Sequence, residues 1–437
     1  MTPKKLTAVF LLTLLLFSAA CPSLAATEQH NPMLTPYTVE YARTEDDFLN
    51  ILLMGIDVSS GELRASGDKW NIMDSHTDVV MLLSINKTKG RIDLVSIPRD
   101  TLVYVPGVHG VYKLNAAFNT ATNPREGFRH VRDTVSWLLG GVRIDAYCAV
   151  DMTALRTLID VMGGIDYDLE MTYRGSSGTR YKEGFQHLDG LGVVDYVRAR
   201  KNATVDRDDI GRTNRDRKMM IALFDKLKSD MNMLNELWAT TQKSSVNFFT
   251  DMNGIRVITD LWDFFQGVDS AEIGSHMMEG EYVLYVLGYW NLNITDQAAR
   301  TKLIKEVYGI NAKEIPYTSK EYCSWLLNGG FQAVQNIRQA QAILEYAKLR
   351  SNPSKDLKNA ISALEKSCKA AVSAFDNASA KLRSSANKPL TDACKTMRKN
   401  AEKVVKLSNY PEAYTWEKAD RWYQDPLIND YYQINWN

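Results

Sequence analysis

The residues best suited to chemistry crowd into the segment from Asp195 to Lys218, DYVRARKNATVDRDDIGRTNRDRK. Arg198, Arg200, Arg207, Arg212, Arg215 and Arg217 stand there with Lys201 and Lys218 against Asp195, Asp206, Asp208, Asp209 and Asp216. A solvated helix face laced with ion pairs would have the same composition. Two features point instead to an anion site. Arg198 and Arg200 close the apolar run Val193-Val194-Asp195-Tyr196-Val197, where a buried element should meet a loop. Arg212 and Arg215 open a predicted helix three residues apart, on one face near its N-terminus, where cations are unfavourable unless an anion lies between them. Guanidinium groups stay charged and match phosphate oxygens as planar forks, so the set suits a pyrophosphate.

A second charged site follows a short apolar run. Ser96-Ile97-Pro98-Arg99-Asp100 delivers Arg99 and Asp100 at the carboxyl end of a predicted buried strand, the end at which open α/β sheets bind ligands. Asp78, in Ser75-His76-Thr77-Asp78, is expected to begin the strand Val79 to Leu83, and Lys113 and Asn115 to open a helix near the same surface. Carboxylates beside arginines and a pyrophosphate suggest Mg²⁺, which takes hard oxygen ligands together with phosphate oxygens. Each aspartate taken alone is more often a cap or an ion-pair partner. The sequence has no Walker loop, no G-x-S-x-G elbow and no H-E-x-x-H, and its 6 histidines give little support to a zinc hydrolase.

These side chains need a scaffold. Phe48 to Ile56, Val79 to Ile85 and Ile92 to Ile97 are short apolar runs closed by Gly, Asn, Asp or Pro, as in buried strands. Gly127 to Leu139, Met152 to Met162 and Arg212 to about Leu227 repeat apolar residues at helical spacing, and Gly163-Gly164 stops the second of these. Strands mixed with helices imply an α/β layered domain over residues 48–310, with two smaller domains as the alternative. Beyond it, 311–437 becomes helical in composition. Asn352 to Ser408, rich in Ala, Lys and Ser, is expected to form a separate, dispensable helical unit broken near Ser384 to Pro389. The aromatic C-terminus, with Tyr423, Tyr431, Tyr432 and Trp436, should pack on something.

Lys plus Arg and Asp plus Glu both total 52, so no global field draws the chain to nucleic acid or an anionic membrane. A hydrophobic content of 45% excludes wholesale disorder. Residues 1–26 place Lys4 and Lys5 before an apolar run from Leu6 to about Ala20 and then Ser23-Leu24-Ala25-Ala26, the order of a secretory signal peptide, with 27–47 as a linker. Lipidation at Cys21 and an uncleaved anchor are the alternatives. Cys148 fits a buried thiol. Cys368 and Cys394 are the one pair that could bridge.

The order of motifs resembles the LytR-CpsA-Psr family. It is carried by NILLMGID from Asn50, the Asp78 segment, SIPRDTLVYVPG from Ser96, YKLNAAF from Tyr112, VDMTALRTLIDVMGGIDYDL from Val150, HLDGLGVVDYVRARK from His187 and DIGRTNRDRK from Asp209, over residues 48–310. The resemblance implies an α/β/α sandwich with a central mixed sheet, here with a C-terminal helical module added. It implies a phosphotransferase that moves a polyprenyl-pyrophosphate-linked glycopolymer onto a peptidoglycan sugar hydroxyl at the outer face of the cytoplasmic membrane. Carried over by position, Arg99, Arg198, Arg200 and Arg212 would grip the pyrophosphate with support from Lys113. Asp78 and Asp209 would hold Mg²⁺, and Asp100 would position or deprotonate the acceptor; Arg215 is a further candidate phosphate ligand. His76-Thr77-Asp78-Val79 stands where the family usually has Arg-Ser-Asp-Thr, and Arg215-Asp216 where it has Arg-Gln. Other readings are a phosphohydrolase acting on the same lipid and a non-catalytic carrier-binding protein.

The leader is directly testable. Its apolar run falls short of the roughly 20 residues that span a bilayer, so mature protein is expected to lack residues 1 to about 25 or to carry lipid at Cys21. N-terminal sequencing of protein from the native envelope checks this, and an intact Met1 in a membrane-embedded form would contradict it.

Overall fold

In the computed structural model the described residues are 31–410 apart from 35–36, 59–64, 67–68, 71–74, 109, 200–208, 229, 244–246, 253–261, 263, 287–288, 327–329 and 383–386. The export segment, Cys21, Arg200 and the aromatic C-terminus therefore lie outside the described residues. Six strands form the central sheet: β1 (Phe48–Val58), β2 (Ser75–Asn86), β3 (Arg91–Ser96), β4 (Ala146–Asp151), β5 (Phe248–Thr250) and β6 (Gly274–Met277), in the order β5-β4-β1-β2-β3-β6. β1 runs antiparallel to β2 and parallel to β4, β3 runs antiparallel to β2, and β6 pairs with β3 in parallel, so the sheet is mixed as expected.

Strand alternation sends successive side chains to opposite faces. Leu52, Met54 and Ile56 of β1 and Val80 and Leu82 of β2 enter one core, against α1 (Pro124–Leu138) and Ile304, Val307 and Tyr308 of a later helix. On α1 the inward residues are Phe128, Val131, Val135 and Leu138, one helical stripe. Each such fully buried side chain contributes about 1.5–3 kcal/mol. On the other face Met81 and Ile85 of β2 meet Met220, Ile221 and Phe224. These last three belong to a long helix that is apolar on two sides, since its Met219 and Leu223 enter a third core with Ile159, Val193 and Tyr196. Helices thus cover both faces of the sheet.

Side-chain caps start the helices near the site. Asn123 Oδ1 accepts from Glu126 N at 3.0 Å ahead of Pro124, whose missing N–H costs nothing at that position. Asp151 Oδ1 accepts from Ala154 N at 2.7 Å to start α2 (Met152–Val161), and its other oxygen accepts from Asn247 Nδ2 at 2.6 Å, which ties the edge strand β5 to the same point. Asp189 Oδ1 accepts from Gly192 N at 2.7 Å to start α3 (Gly190–Arg198). The next two helices are α4 (Asp209–Leu227) and α5 (Met231–Thr241).

Lys355–Lys381 and Asn387–Ser408 form the expected pair of helices, joined by a third, Phe331–Lys348. Their buried residues repeat at spacings of three and four: Leu357, Ala360, Leu364, Cys368, Ala371, Phe375 and Ala378 on one helix, and Leu390, Cys394, Met397, Ala401 and Val404 on the other. That is a coiled-coil seam. Cys368 and Cys394 fill seam positions as small apolar residues and are free thiols, so the expected bridge does not form. Burial pushes both thiols up to about 11.

The bundle does not stand apart. Its core continues into Leu102, Tyr104, Val111, Leu292 and Ile294 of the α/β part and into Met33, Leu34 and Tyr37. Tyr322 donates to Asn31 Oδ1 at 3.0 Å, and the Tyr104 hydroxyl donates to Tyr317 O at 2.8 Å. The expectation of a separate unit is therefore corrected, because amphipathic helices read from sequence do not disclose which surface receives them. A chain ending at Ile310 should expose this shared core; light scattering of the truncated protein should show aggregation, and a soluble, cooperatively melting fragment would contradict the shared core.

Candidate active site

A β-bulge places Asp78. Gly55 pairs with Val79 but Ile56 pairs with Thr77, which leaves Asp78 as the additional residue of β2. Strict alternation from Val80 would turn Asp78 under α1; the bulge releases it from that pattern. Asp78 thus sits inside a strand that begins at Ser75, whereas the sequence suggested the strand's first position. Gly55 permits the close approach, because a Cβ there would lie 3.0 Å from Val79 Cβ.

Arg99 reaches Asp78 from the turn after β3. Its Nη1 donates to Asp78 Oδ2 at 2.7 Å, and its Nε lies 3.7 Å from Asp100 Oδ2. Asp100, 4% exposed, accepts from Lys113 Nζ at 2.7 Å. Charges therefore alternate along Asp78, Arg99, Asp100 and Lys113. The turn's backbone is held on several sides. Asn115 N donates to Arg99 O at 2.9 Å, Leu114 N to Thr101 O at 2.9 Å and Asn293 N to Asp100 O at 2.9 Å. Leu114–Ala116 is a short 3-10 turn rather than the start of a longer helix.

The helices supply the remaining cations. Arg198 ends α3, and Arg212 lies buried in the first turns of α4. With Arg99, both line a cavity of about 320 Å³ whose other walls are Asp57, Asp78, Val79, Met152, Val197 and Asp216. Three guanidinium groups thus converge from three separate elements. Arg215 does not line it. At 1% exposed, Arg215 donates from Nη2 to Ala199 O and lies over the Tyr196 ring, 5.9 Å from its centroid. Its expected role as a phosphate ligand is corrected: it holds the end of α3, and thereby Arg198, against α4. Lys113 and Asp100 also stand behind the wall, where they can orient Arg99. Arg200 lies outside the described residues. Asp209 begins α4, but its side chain is not among those described.

Asp57 and Asp216 complete the cavity; Asp216 is the anion that stands where the family has Gln, whereas Asp57 was not singled out in the sequence. Asp57 closes the apolar strand β1 at its carboxyl end, the same position rule that marked Asp100. Asp216 follows Arg212 by four residues and so shares its helix face. Among the described residues no three His, Cys, Asp or Glu groups converge to hold a metal by themselves. Two carboxylates with ligand phosphate oxygens are nevertheless an ordinary Mg²⁺ set, and Asp57 and Asp78 face one cavity.

The LytR_cpsA_psr family model matches residues 17–309, more than half of the chain. The chain belongs to the LytR-CpsA-Psr family. Its relatives include polyisoprenyl-teichoic acid–peptidoglycan teichoic acid transferase TagU of Oceanobacillus iheyensis, 29% identical over 50% of this chain and 60% of that protein. Another is the probable cell wall biosynthesis protein LcpB of Corynebacterium glutamicum, 34% identical over 43% of this chain and 44% of that protein. The match thus spans about half of each relative's length. The crystal structure of protein gbs0355 from Streptococcus agalactiae shares the fold, with a TM-score of 0.50 at 21% identity over 62% of this chain and 93% of that one. The LytR-CpsA-Psr match covers all three elements that bring arginines to the cavity.

Arg212 and Arg215 should separate on mutation. Arg215→Met removes a buried, charge-assisted bond to Ala199 O and should cost about 1.5–3 kcal/mol in denaturant unfolding. Arg212→Ala should weaken inorganic pyrophosphate binding by at least about tenfold, the weight of one charge-assisted hydrogen bond. Titration calorimetry beside urea melts checks both, and equal, small effects would mark the cluster as a surface charge run.

Proposed function

We propose that the chain is a phosphotransferase that moves a glycopolymer from a polyprenyl pyrophosphate carrier onto a peptidoglycan sugar hydroxyl. The observation that carries this reading is the convergence of Arg99, Arg198 and Arg212 on one cavity in a member of this family. In the transfer, the acceptor oxygen attacks the phosphorus that bears the polymer. A phosphodiester forms to the acceptor sugar, the pyrophosphate P–O bond breaks, polyprenyl phosphate leaves with the electron pair, and the acceptor's hydroxyl proton passes to water. Guanidinium forks fixed on three elements would hold the phosphate oxygens as charge redistributes, so positioning and electrostatics supply the acceleration.

Charge balance supports a metal. The walls carry Arg99, Arg198 and Arg212 against Asp57, Asp78 and Asp216, so an incoming pyrophosphate brings surplus negative charge. Mg²⁺ held by Asp57 and Asp78, with Asp209 as the other expected ligand, would offset that charge and polarise the phosphate. Asp100 is assigned to positioning: its oxygens face Lys113 and Arg99, and it does not line the cavity. Among the described residues no helix is long and apolar enough to cross a membrane. Work at the outer membrane face would therefore rest on the exported N-terminus, cleaved or lipidated at Cys21.

Full-length protein with a lipid-linked donor and a peptidoglycan oligosaccharide tests the reading. Transfer should depend on Mg²⁺ and fall by about a hundredfold or more in Arg212→Ala, the scale for removing one preorganised charge-stabilising donor. Asp78→Asn should raise the Mg²⁺ needed for half-maximal rate. Release of free polymer without any acceptor would identify a phosphohydrolase instead, and donor binding without turnover at any Mg²⁺ concentration would identify a carrier-binding protein.

A further inference from the structure

A second cavity, of about 440 Å³, lies beside α1 and has no part in the chemistry above. Arg125, Arg129 and Arg132 line it from positions i, i+4 and i+7 of the helix, one continuous basic stripe. Tyr147 of β4, Asn123 and the acids Glu126 and Asp251 line it as well, with Glu126 Oε1 3.7 Å from Arg129 Nη2. Asp133 and Asp251 steady two of the arginines: Arg129 Nη1 lies 3.3 Å from Asp133 Oδ2, and Arg132 Nη1 lies 3.5 Å from Asp251 Oδ2. Asp251 is itself fixed, accepting from Tyr147 N at 2.8 Å.

Two groups in this cavity make no hydrogen bond or ion pair among the described residues, the Arg125 guanidinium and the Tyr147 hydroxyl, which lie close enough to interact with each other. Tyr147 is 8% exposed, its ring packed 5.0 Å from that of Phe128, and it forms part of the cavity wall. Burial pushes the phenol up, which keeps the proton on. A phenol donor and a guanidinium on one wall are well suited to an anionic oxygen.

The cavity's position gives it a use. α1 precedes β4 in the chain and runs back across the sheet, so Arg125 lies towards the carboxyl end of β1 and β4, and Arg132 about 10 Å further from it. Along β4, Tyr147 is about 16 Å from Met152, a wall residue of the Arg99 cavity. We propose that this cavity is a second anion site, which takes a negatively charged sugar unit of the glycopolymer while the polymer's pyrophosphate end occupies the Arg99 cavity. The proposal rests on the transferase reading for the identity of the polymer, but not for the binding itself.

The test uses full-length protein and three probes: a short oligogalacturonate, a short phosphodiester-linked oligosaccharide and neutral maltoheptaose. At least one anionic probe should bind about tenfold or more tighter than the neutral one, and the Arg125→Gln, Tyr147→Phe double variant should lose that advantage. Neither side chain makes a hydrogen bond or ion pair among the described residues, so the variant should melt like the parent. Which anionic probe binds identifies the group as carboxylate or phosphate. Equal binding of all three probes overturns the proposal, as does an anionic preference kept by the double variant but lost in Arg212→Ala. Inorganic pyrophosphate binding, measured in parallel, should be unchanged in the double variant. Its absence from the parent protein would count against the transferase reading and leave the oligosaccharide result intact.

Discussion

Like charges brought together from separate elements must be neutralised before the fold can hold them, and the Arg99 to Asp78 ion pair is where that requirement is met. Two unit charges 4 Å apart interact by about 4 kcal/mol at the effective dielectric of a protein surface, so three guanidinium groups around one small cavity would oppose folding. Asp78, Asp57 and Asp216 stand among them and balance the formal charge of the walls. The β-bulge follows from this need. Without the additional residue in β2, the carboxylate that meets Arg99 would face the apolar core under α1. A cluster of cations is thereby kept stable through acids that any bound anion would have to share or displace.

The rest of the scaffold keeps those charges from relaxing apart. Arg99 projects from a turn whose carbonyls accept from Leu114, Asn115 and Asn293, so the guanidinium starts from a fixed backbone. Asn293 belongs to the strand Tyr289–Thr295, whose Leu292 and Ile294 enter the same core as the C-terminal helices. A physical connection therefore runs from the coiled-coil seam to the Arg99 turn. On the other side, α4 is apolar towards both the sheet and α3, and Arg215 fastens its N-terminal half to the end of α3. That buried contact and the apolar seam between α3 and α4 hold Arg198 and Arg212 relative to each other.

Much of this was legible in the sequence, and the limits have physical causes. The strands at Phe48, Val79 and Ile92 and the helices at Gly127, Met152 and Arg212 are local patterns, which periodicity reports directly. Arg99, Arg198 and Arg212 do line one cavity. A bulge is a property of pairing between two strands, so the position of Asp78 within β2 could not be read from either strand alone. Arg212 and Arg215 have the same chemistry and lie one turn apart, yet one faces the cavity and the other a carbonyl; only the packing of α3 separates them. Asp57 was within reach, since it ends an apolar strand just as Asp100 follows one. The seam carrying Cys368 and Cys394 suggested a bridge because spacing shows which residues face inward and not which partner they meet.

Neutral walls also govern how an anionic ligand can be recognised. The whole chain has a formal charge of zero, and the lining of the Arg99 cavity balances too, so there is little long-range field to draw a ligand from solution. Discrimination must come at contact, from forks whose directions are set by Asp78, by the Pro98 to Thr101 turn and by α4. A planar guanidinium held in place loses little rotamer freedom on binding, whereas a lysine in the same place would offer a point charge without direction. The cavity beside α1 differs in kind, because three arginines there face two acids, Glu126 and Asp251, and Arg125 has no carboxylate partner among the described residues. The molecule therefore separates two electrostatic settings: a charge-balanced cavity that suits the proposed phosphotransfer, and a surplus of positive charge along α1 that suits the proposed second anion site.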